Sequence, residues 1–311
     1  MEIHTSLENL SNLKPALTIG VFDGVHLGHK KLLSLLKSEA KAINAPTMVV
    51  TFWPHPFLFF NPDDKKFRLL MSIREKEMIL RDIGIDHLVV LPFDKELAQT
   101  PADDFAKTVL VDSLRIRHLV VGDDHRFGKG RGGSFELVKK LAAQFGFGIS
   151  GLDSFTSDEV RISSTFIRSC LMAGDLASAN RMLGYPYFIL GNVESGKQIG
   201  RQIGFPTANI SCCEGWKQIP QDGVYVVKVK WNGSEYGGML NIGTRPTVEN
   251  TGRKSIEVHL FGHSGELYGE ELKVSFHRRL REEMRFNNLD ELRAQLEKDK
   301  INALAVLQLL E

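Results

Sequence analysis

Cysteine is scarce. The chain of 311 residues has three, Cys170, Cys212 and Cys213. Two are adjacent and none sits at a metal-ligand spacing such as CxxC, so no disulfide frame and no cysteine zinc site is encoded. That usage belongs to a reducing compartment, and the expected location is the cytoplasm. Long apolar runs are missing as well: none approaches the roughly 18–20 residues that span a bilayer. The N-terminus, MEIHTSLENLSNLK, lacks a basic start followed by an apolar core, so a secretory leader is not expected. Nor is there a surplus of charge, with 39 basic residues against 38 acidic ones. Divided at residue 185, the counts are 23 against 22 before and 16 against 16 after. Neither half is a basic module, so counterion-release binding to nucleic acid is not expected. Internal repeats and low-complexity segments are absent too.

What is present is ordinary globular material, 42% hydrophobic and 25% charged. At roughly 150 residues per domain the length implies about two domains. The first half alternates β-branched runs, at 17–22, 47–52, 87–91, 118–122 and 147–152, with helical patterns. A helix over 30–43 carries Leu32, Leu33, Leu36, Ala40 and Ile43 on one face, and Asn44-Ala45-Pro46 ends it. Such alternation predicts a parallel sheet with helices on both faces. A helical tail over 164–183 closes this half. After Gly184-Tyr185-Pro186 the texture changes. Strands are expected at 224–231 and 236–242 around an Asn232-Gly233 hairpin turn, then at 255–261 and 272–276. A last amphipathic helix covers 289–310. Many strands and one helix predict a small antiparallel barrel, and the expected domains are 1–185 and 186–311.

The first expected strand runs into Gly20-Val21-Phe22-Asp23-Gly24-Val25-His26-Leu27-Gly28-His29, followed at once by a helix. A glycine-bearing turn of this kind lets the backbone approach a phosphate, and the helix start offers free N–H groups and a positive dipole end. Gly20, Phe22, Asp23, Gly24 and Gly28 are therefore candidate phosphate-binding positions. His26 and His29, three apart, can address one bound group and stabilise charge developing at an α-phosphate. Taken alone, the same residues also read as a plain chain turn with surface histidines. Further on, Arg161, Ser163, Ser164, Thr165 and Arg168 combine hydroxyls at a helix start with two cations. That suits a clamp for β- and γ-phosphates, or equally a Ser/Thr N-cap with surface arginines. Gly128-x-Gly130-x-x-Gly133 imitates a dinucleotide fingerprint, with Asp153 where a ribose-binding acid would stand. Residues 123–127 separate it from the preceding strand, so a glycine-rich basic loop is the better reading.

GVFDGVHLGH looks like the His-x-Gly-His signature of nucleotidyltransferases that move AMP from ATP. With TFWPHP, VGDDHRFGKGRGG and RISSTFIR, it resembles the adenylyltransferase half of bacterial bifunctional riboflavin kinase/FAD synthetases. The resemblance implies a Rossmann-like nucleotidyltransferase domain and flavin contacts from His55, Pro56, Arg126 and Phe127. His125 stands where the family often has an aromatic residue.

The second half opens with Gly191, Gly196, Gly200 and Gly204, with Lys197 and Arg201 among them. These suit a backbone cradle for a nucleotide triphosphate, although GxxxxGK[ST] is absent. Thr207 and Asn209 alternate along an extended segment, so both oxygens face one side. Neutral oxygens beside phosphates suit Mg²⁺, and a simple turn near a strand end is the other reading. Strand alternation puts Ser255, Glu257 and His259 on one face, where most carboxylates merely meet water. GFPTANI, DGVYVV, LNIGTRPTV, SIEVHLFG and LYGEELKVSF are similar to riboflavin kinase domains. That resemblance implies a six-stranded antiparallel barrel, Thr207 and Asn209 as metal ligands, and Glu257 as catalytic base. Arg245 and the Gly252-Arg253-Lys254 turn would lie near ligand.

The family implied phosphorylates riboflavin to FMN with ATP, then adenylylates FMN to FAD with release of pyrophosphate. Riboflavin, FMN and ATP are the expected partners, with Mg²⁺; no nucleic acid, membrane or required protein partner is expected. Two competitors stay open on the residues alone. One is another His-x-Gly-His adenylyltransferase with a small non-flavin acceptor and a barrel that only binds. The other is a non-catalytic flavin- or RNA-binding protein.

Overall fold

The structure, a computed structural model, describes residues 1–310 apart from 65, 123–127, 132, 153–155, 158–159, 196–199, 201–202, 213–214, 245–253 and 264; side chains at 131, 156, 157, 160, 161 and 244 also fall outside it. The chain forms two compact units. The first comprises residues 1–67 and 72–164, the second 68–71 and 165–311.

The first unit is built on a six-stranded sheet of β1 (Glu2–His4), β2 (Ala16–Ile19), β3 (Thr47–Trp53), β4 (His87–Pro92), β5 (His118–Gly122) and β6 (Gly148–Leu152). Their spatial order is β1-β4-β3-β2-β5-β6, and every neighbouring pair is parallel. All four residues of β2 are buried, as a strand covered on both faces requires. Leu17, Ile19, Met48, Val50, Val89 and Leu119 build one continuous core with Leu110 and Leu141. Helix α1 (Leu27–Ala42) buries Leu32, Leu33, Leu36 and Ala40, the stripe read from the sequence, but begins three residues before position 30. Helices α2 (Pro56–Phe60), α3 (Ile73–Ile83), α4 (Lys95–Gln99), α5 (Ala102–Phe105) and α6 (Phe135–Phe145) follow, with a wide π-helical stretch at Ala106–Ser113. The sequence reading missed β1, which has three residues and one paired side. A small two-strand ribbon, β7 (Thr156–Ser157) with β8 (Val160–Arg161), completes the strands of this unit.

The chain runs β2, β3, β4 toward one side of the sheet and then crosses to β5 on the other. That reversal makes the carboxyl end of β2 the switch point of the sheet, where an open α/β fold leaves a crevice for ligand. The turn at 20–26 stands there.

The second unit is a closed barrel of β9 (Phe188–Glu194), β10 (Ala208–Ser211), β11 (Gly223–Trp231), β12 (Ser234–Thr244), β13 (Lys254–Leu260) and β14 (Glu271–Arg281). Their order is β10-β13-β12-β11-β14-β9, and all six pairings are antiparallel. The residue pattern alone revealed four of these strands. Gly191 interrupts β9, and it does so because β10 runs so close: a Cβ there would collide with the Ile210 side chain and stand 2.9 Å from the Ser211 carbonyl. The helical tail is two helices, α7 (Ser164–Ala173) and α8 (Leu176–Leu183), broken at Gly174. From Thr165 onward it groups with the barrel. Asn180 explains part of this: its amide donates to the Phe276 carbonyl of β14 and accepts from the Tyr187 N–H. Residues 68–71 join the same unit through Leu69, which exchanges backbone hydrogen bonds with Trp216 and Gln218.

The last helix, α9 (Leu289–Gln308), lays Ala303 and Leu307 against Val226, Met239, Ile203 and Phe205. Arg281 of β14 grips Asp299 of α9 with Nε at 3.0 and 3.1 Å and Nη2 at 2.7 Å, and Asp299 is 2% exposed. Asp299→Ala leaves this guanidinium without its counter-ion. It is expected to destabilise the second unit by about 3–5 kcal/mol, measured by denaturant unfolding of the full chain.

Candidate functional site

The glycine turn is strained. Gly24 sits at φ 87°, but Phe22 and Val25 also have positive φ, at 49° and 34°. Left-handed backbone costs a non-glycine residue about 1–3 kcal/mol, so something must hold it. Phe22 and Val25 are buried, and two hydrogen bonds converge on the Val21 carbonyl. Lys76 Nζ donates to it at 2.6 Å and Thr51 Oγ1 at 3.2 Å. Lys76 Nζ also donates to Thr51 Oγ1 at 3.0 Å. From the other side Ser164 Oγ donates to the Asp23 carbonyl at 2.7 Å. Ser164 of the RISST block therefore meets the glycine turn directly. Gly20 still belongs to the sheet, donating to the Val50 carbonyl at 3.0 Å.

Lys76 was not singled out from the sequence. It is 4% exposed, and burial lowers its pKa to about 8 while the Asp23 carboxylate opposes the shift. A signal was nevertheless there. Ser72-x-x-Glu75 is a capping box, realised here by Ser72 Oγ accepting from Glu75 N and Glu75 Oε2 accepting from Ser72 N. It fixes the start of α3, and Lys76 then falls on the face of Ile79 and Leu80, both buried. A lysine on a core-facing stripe is a lysine with an internal task.

His26 caps α1, its Nδ1 lying 3.4 Å from the His29 N–H that donates to it. The His26 and His29 rings stack with centroids 3.7 Å apart and 14° between planes. Burial, His26 and Lys76 push the pKa of His29 well below its ordinary value, so His29 is a neutral imidazole near pH 7. Gly28 and His29 belong to the first turn of α1. His26, Gly28, His29, Asp23 and Lys76 thus gather around one helix start, a ready anion site.

His55 caps α2, with Nδ1 accepting from the Phe57 N–H at 3.0 Å, and Pro56 opens that helix. Its ring lies 5.3 Å from Phe67, which stacks on Phe57 at 4.1 Å. Phe57 and Phe60 are exposed, so an aromatic shelf follows β3. Ser163 is half-buried beside Ser164, whereas Thr165 is exposed. Arg168 Nη2 donates to Thr165 Oγ1 within α7. Arg126, Phe127, His125 and the Arg161 side chain lie outside the described residues.

In the barrel, Asn209 stands directly opposite Glu257 across β10 and β13. Glu257 stands opposite Asn241 on β12, and Asn209 opposite Glu194 on β9. Directly paired residues share a face, so Glu194, Asn209, Glu257 and Asn241 form one transverse row of acids and amides. Glu194 and Asn241 were not singled out from the sequence, because only barrel register reveals them. Thr207 precedes this row, and the segment entering it is pinned. Ile203 and Phe205 are buried, and His259 Nδ1 lies 2.7 Å from the Pro206 carbonyl. Gly200 closes a turn onto this segment, its carbonyl accepting from Phe205 N at 2.8 Å. Gly191 is inside β9. Lys254 anchors the start of β13 on Asp222 at 3.0 Å and on the Pro220 carbonyl at 2.8 Å. Gly196, Lys197, Arg201, Arg245, Gly252 and Arg253 lie outside the described residues.

The two architectures define a class: a nucleotidyltransferase-type parallel sheet joined to a closed six-stranded kinase-type barrel. The FAD synthetase family matches residues 9–166, and the riboflavin kinase family residues 183–307. A bifunctional riboflavin kinase/FMN adenylyltransferase from Escherichia coli (strain K12) is 42% identical over 308 residues, covering 97% of each chain. One of the same description from Bacillus subtilis (strain 168) is 36% identical, covering 94% of this chain and 92% of that one. Among solved structures, a macrolide-efflux protein from Streptococcus pneumoniae superposes with a TM-score of 0.86 at 28% identity and 96% coverage of both chains. In the chain described here no helix of the described residues is long and apolar enough to cross a membrane. The chain belongs to the bifunctional riboflavin kinase/FMN adenylyltransferase family.

The charge beneath the turn can be tested directly. Across pH 8 to 10.5 the unfolded chain holds the Lys76 proton more tightly than the folded one, so this group makes stability rise with pH in that window. Carbon-13 NMR of the lysine ε-methylenes is expected to show one lysine titrating near pH 8. Asp23→Asn is expected to move that midpoint lower, because the carboxylate favours the ammonium.

Proposed function

We propose that residues 186–311 phosphorylate riboflavin on its ribityl 5′-hydroxyl with ATP, and that residues 1–185 adenylylate the resulting FMN. The observation that carries the reading of the kinase site is the Asn209–Glu257 cross-strand pair. Glu257 takes the proton from the 5′-hydroxyl, whose oxygen attacks the γ-phosphate of ATP, leaving FMN and ADP. Thr207 and Asn209 offer a hydroxyl and an amide oxygen, a neutral donor pair suited to Mg²⁺ that keeps phosphate oxygens in its shell. When bound, Mg²⁺ supplies neutralisation of phosphate charge. Gly191, Gly196, Lys197, Gly200 and Arg201 belong to the segment assigned to the nucleotide.

Within residues 1–185 an FMN phosphate oxygen attacks the α-phosphate of ATP, and pyrophosphate leaves. The attacking oxygen is already anionic, so no protein base is required, only in-line placement and charge stabilisation. Gly20, Phe22, Asp23, Gly24 and Gly28 form the turn that receives the triphosphate. His26 and His29 donate to the α-phosphate, His29 as a neutral imidazole, and Lys76 supplies positive charge from below. Arg161, Ser163, Ser164, Thr165 and Arg168 are assigned to the outer phosphates. His55, Pro56, Arg126 and Phe127 are assigned to the flavin, beside the aromatic shelf. We place the protein in the cytoplasm, acting without nucleic acid, membrane or protein partner.

Incubation with Mg²⁺, ATP and riboflavin, followed by chromatographic separation of FMN and FAD, tests the whole scheme; absence of both products overturns it. His26→Ala and His29→Ala are each expected to lower FAD formation from FMN by about 10²–10³ and to leave riboflavin phosphorylation intact. A double variant that makes FAD at the wild-type rate removes both from the site. Glu257→Gln keeps the side-chain shape but cannot take a proton. It is expected to lower kinase turnover by about 10²–10⁴ with riboflavin still bound, while added FMN is still converted to FAD.

A further inference from the structure

At the edge of the parallel sheet, three side chains converge that neither reaction uses. His4 Nε2 and His87 Nδ1 are 3.1 Å apart. Glu2 Oε2 lies 3.6 Å from His87 Nδ1 and 3.9 Å from His4 Nε2. Register produces this meeting. Glu2 of β1 stands directly opposite His87, the first residue of β4, and His4 follows Glu2 on the same face by strand alternation. His87 is buried, His4 half-buried and Glu2 exposed, so the cluster opens to solvent on one side. Among the described residues no other group of three His, Cys, Asp or Glu gathers its ligand atoms within 4.8 Å.

The spacing suits a metal. A tetrahedral zinc ion with bonds of about 2.0–2.1 Å sets its ligand atoms about 3.3 Å apart. The three measured edges bracket that value. Two imidazoles and one carboxylate are a borderline donor set, matched to Zn²⁺ rather than to Mg²⁺, which requires oxygen. We infer that Glu2, His4 and His87 form a binding site for a zinc-class dication, with a fourth position open to water. The ion would cross-link β1 to β4. β1 gains most from such a link, because its three residues pair on one side only. The site lies at the start of β4, whereas the glycine turn follows the carboxyl end of β2, so it acts apart from the flavin chemistry.

The competing arrangement is a metal-free hydrogen bond between the two imidazoles, and calorimetric titration of the chelator-treated full chain with ZnCl₂ at neutral pH separates the two. One equivalent is expected to bind with a Kd of about 10 μM or tighter. His4→Ala is expected to weaken that binding by about tenfold or more, and Glu2→Gln to weaken it as well. His87→Ala is expected to abolish it; His4→Ala is the deciding variant because its ring is less buried and its loss spares the start of β4. Circular dichroism and riboflavin phosphorylation should match the wild type in His4→Ala. In imidazole NMR spectra, the His4 and His87 resonances should move together at the first equivalent. Wild-type binding weaker than about 10 μM, or equal binding by wild type and His4→Ala, overturns the inference.

Discussion

A buried ammonium holds the first unit's site in shape. Lys76 Nζ ties the Val21 carbonyl to Thr51 of the neighbouring strand, and the turn above bends through Phe22, Gly24 and Val25 at positive φ. Without that bond the Val21 carbonyl keeps one donor, Thr51. The strain in the turn is of the same order as the hydrogen bonds that oppose it. Burying the amine costs part of its proton affinity, which is why its pKa falls. The Asp23 carboxylate keeps it cationic near pH 7, directly beneath the place where phosphate charge is proposed to gather. The same field works the other way on His29. Burial first of all, then the stacked His26 imidazole and the nearby ammonium, disfavour a positive charge on His29, so it donates as a neutral group. Positive charge and neutral donor thus come from different side chains, one fixed below the turn and one beside it.

The barrel sets its row of acids and amides by closure rather than by a strained turn. Closure fixes register, and register sets Glu194, Asn209, Glu257 and Asn241 in one row. The ladder bonds are backbone bonds, so the register itself does not depend on which side chains those four positions carry. The two units therefore carry different burdens. In the first, the residues that shape the site are also under load. In the second, the fold supplies the positions and the side chains are free to be chosen for chemistry. His259 links the two roles, since its ring packs on Phe205 while Nδ1 reaches the Pro206 carbonyl just before Thr207.

Much of this was legible in the residues. Alternating β and α patterns gave the parallel sheet, and the stripe on α1 matched its buried face. Four short motifs put the glycine turn and the RISST block in one half of the chain; Ser164 does meet Asp23, while the boundary between the two compact units falls inside that block, between Ser164 and Thr165. What stayed hidden has physical causes. Lys76 hides because a lysine among helical charges looks solvated until the capping box is used to orient the helix. β9 hides because its glycine weakens a strand pattern for the sake of close approach to β10. Glu194 and Asn241 hide because they meet Asn209 and Glu257 only through long-range pairing. β1 hides because three residues carry too little pattern, and the histidine cluster it creates needs β4 beside it.

The division of the chain carries a consequence of its own. The polypeptide leaves the first unit at Phe67, lends four residues to the second, and returns at Ser72. Those four residues are not passengers. Leu69 is hydrogen-bonded on both sides, to Trp216 and Gln218, and Lys217 Nζ donates to the Leu70 carbonyl at 2.7 Å and to Phe188 at 3.2 Å. A cut at residue 185 removes every one of those partners from the N-terminal fragment. It also leaves Lys217 as a buried cation short of an acceptor in the C-terminal fragment, a cost of about 1–3 kcal/mol or more for a charged group. The two activities are separable by chemistry, since their proposed residues do not overlap, but a single cut does not separate the backbone cleanly. Dissecting the reactions by point substitution in the full chain respects that constraint; dissecting them by truncation does not.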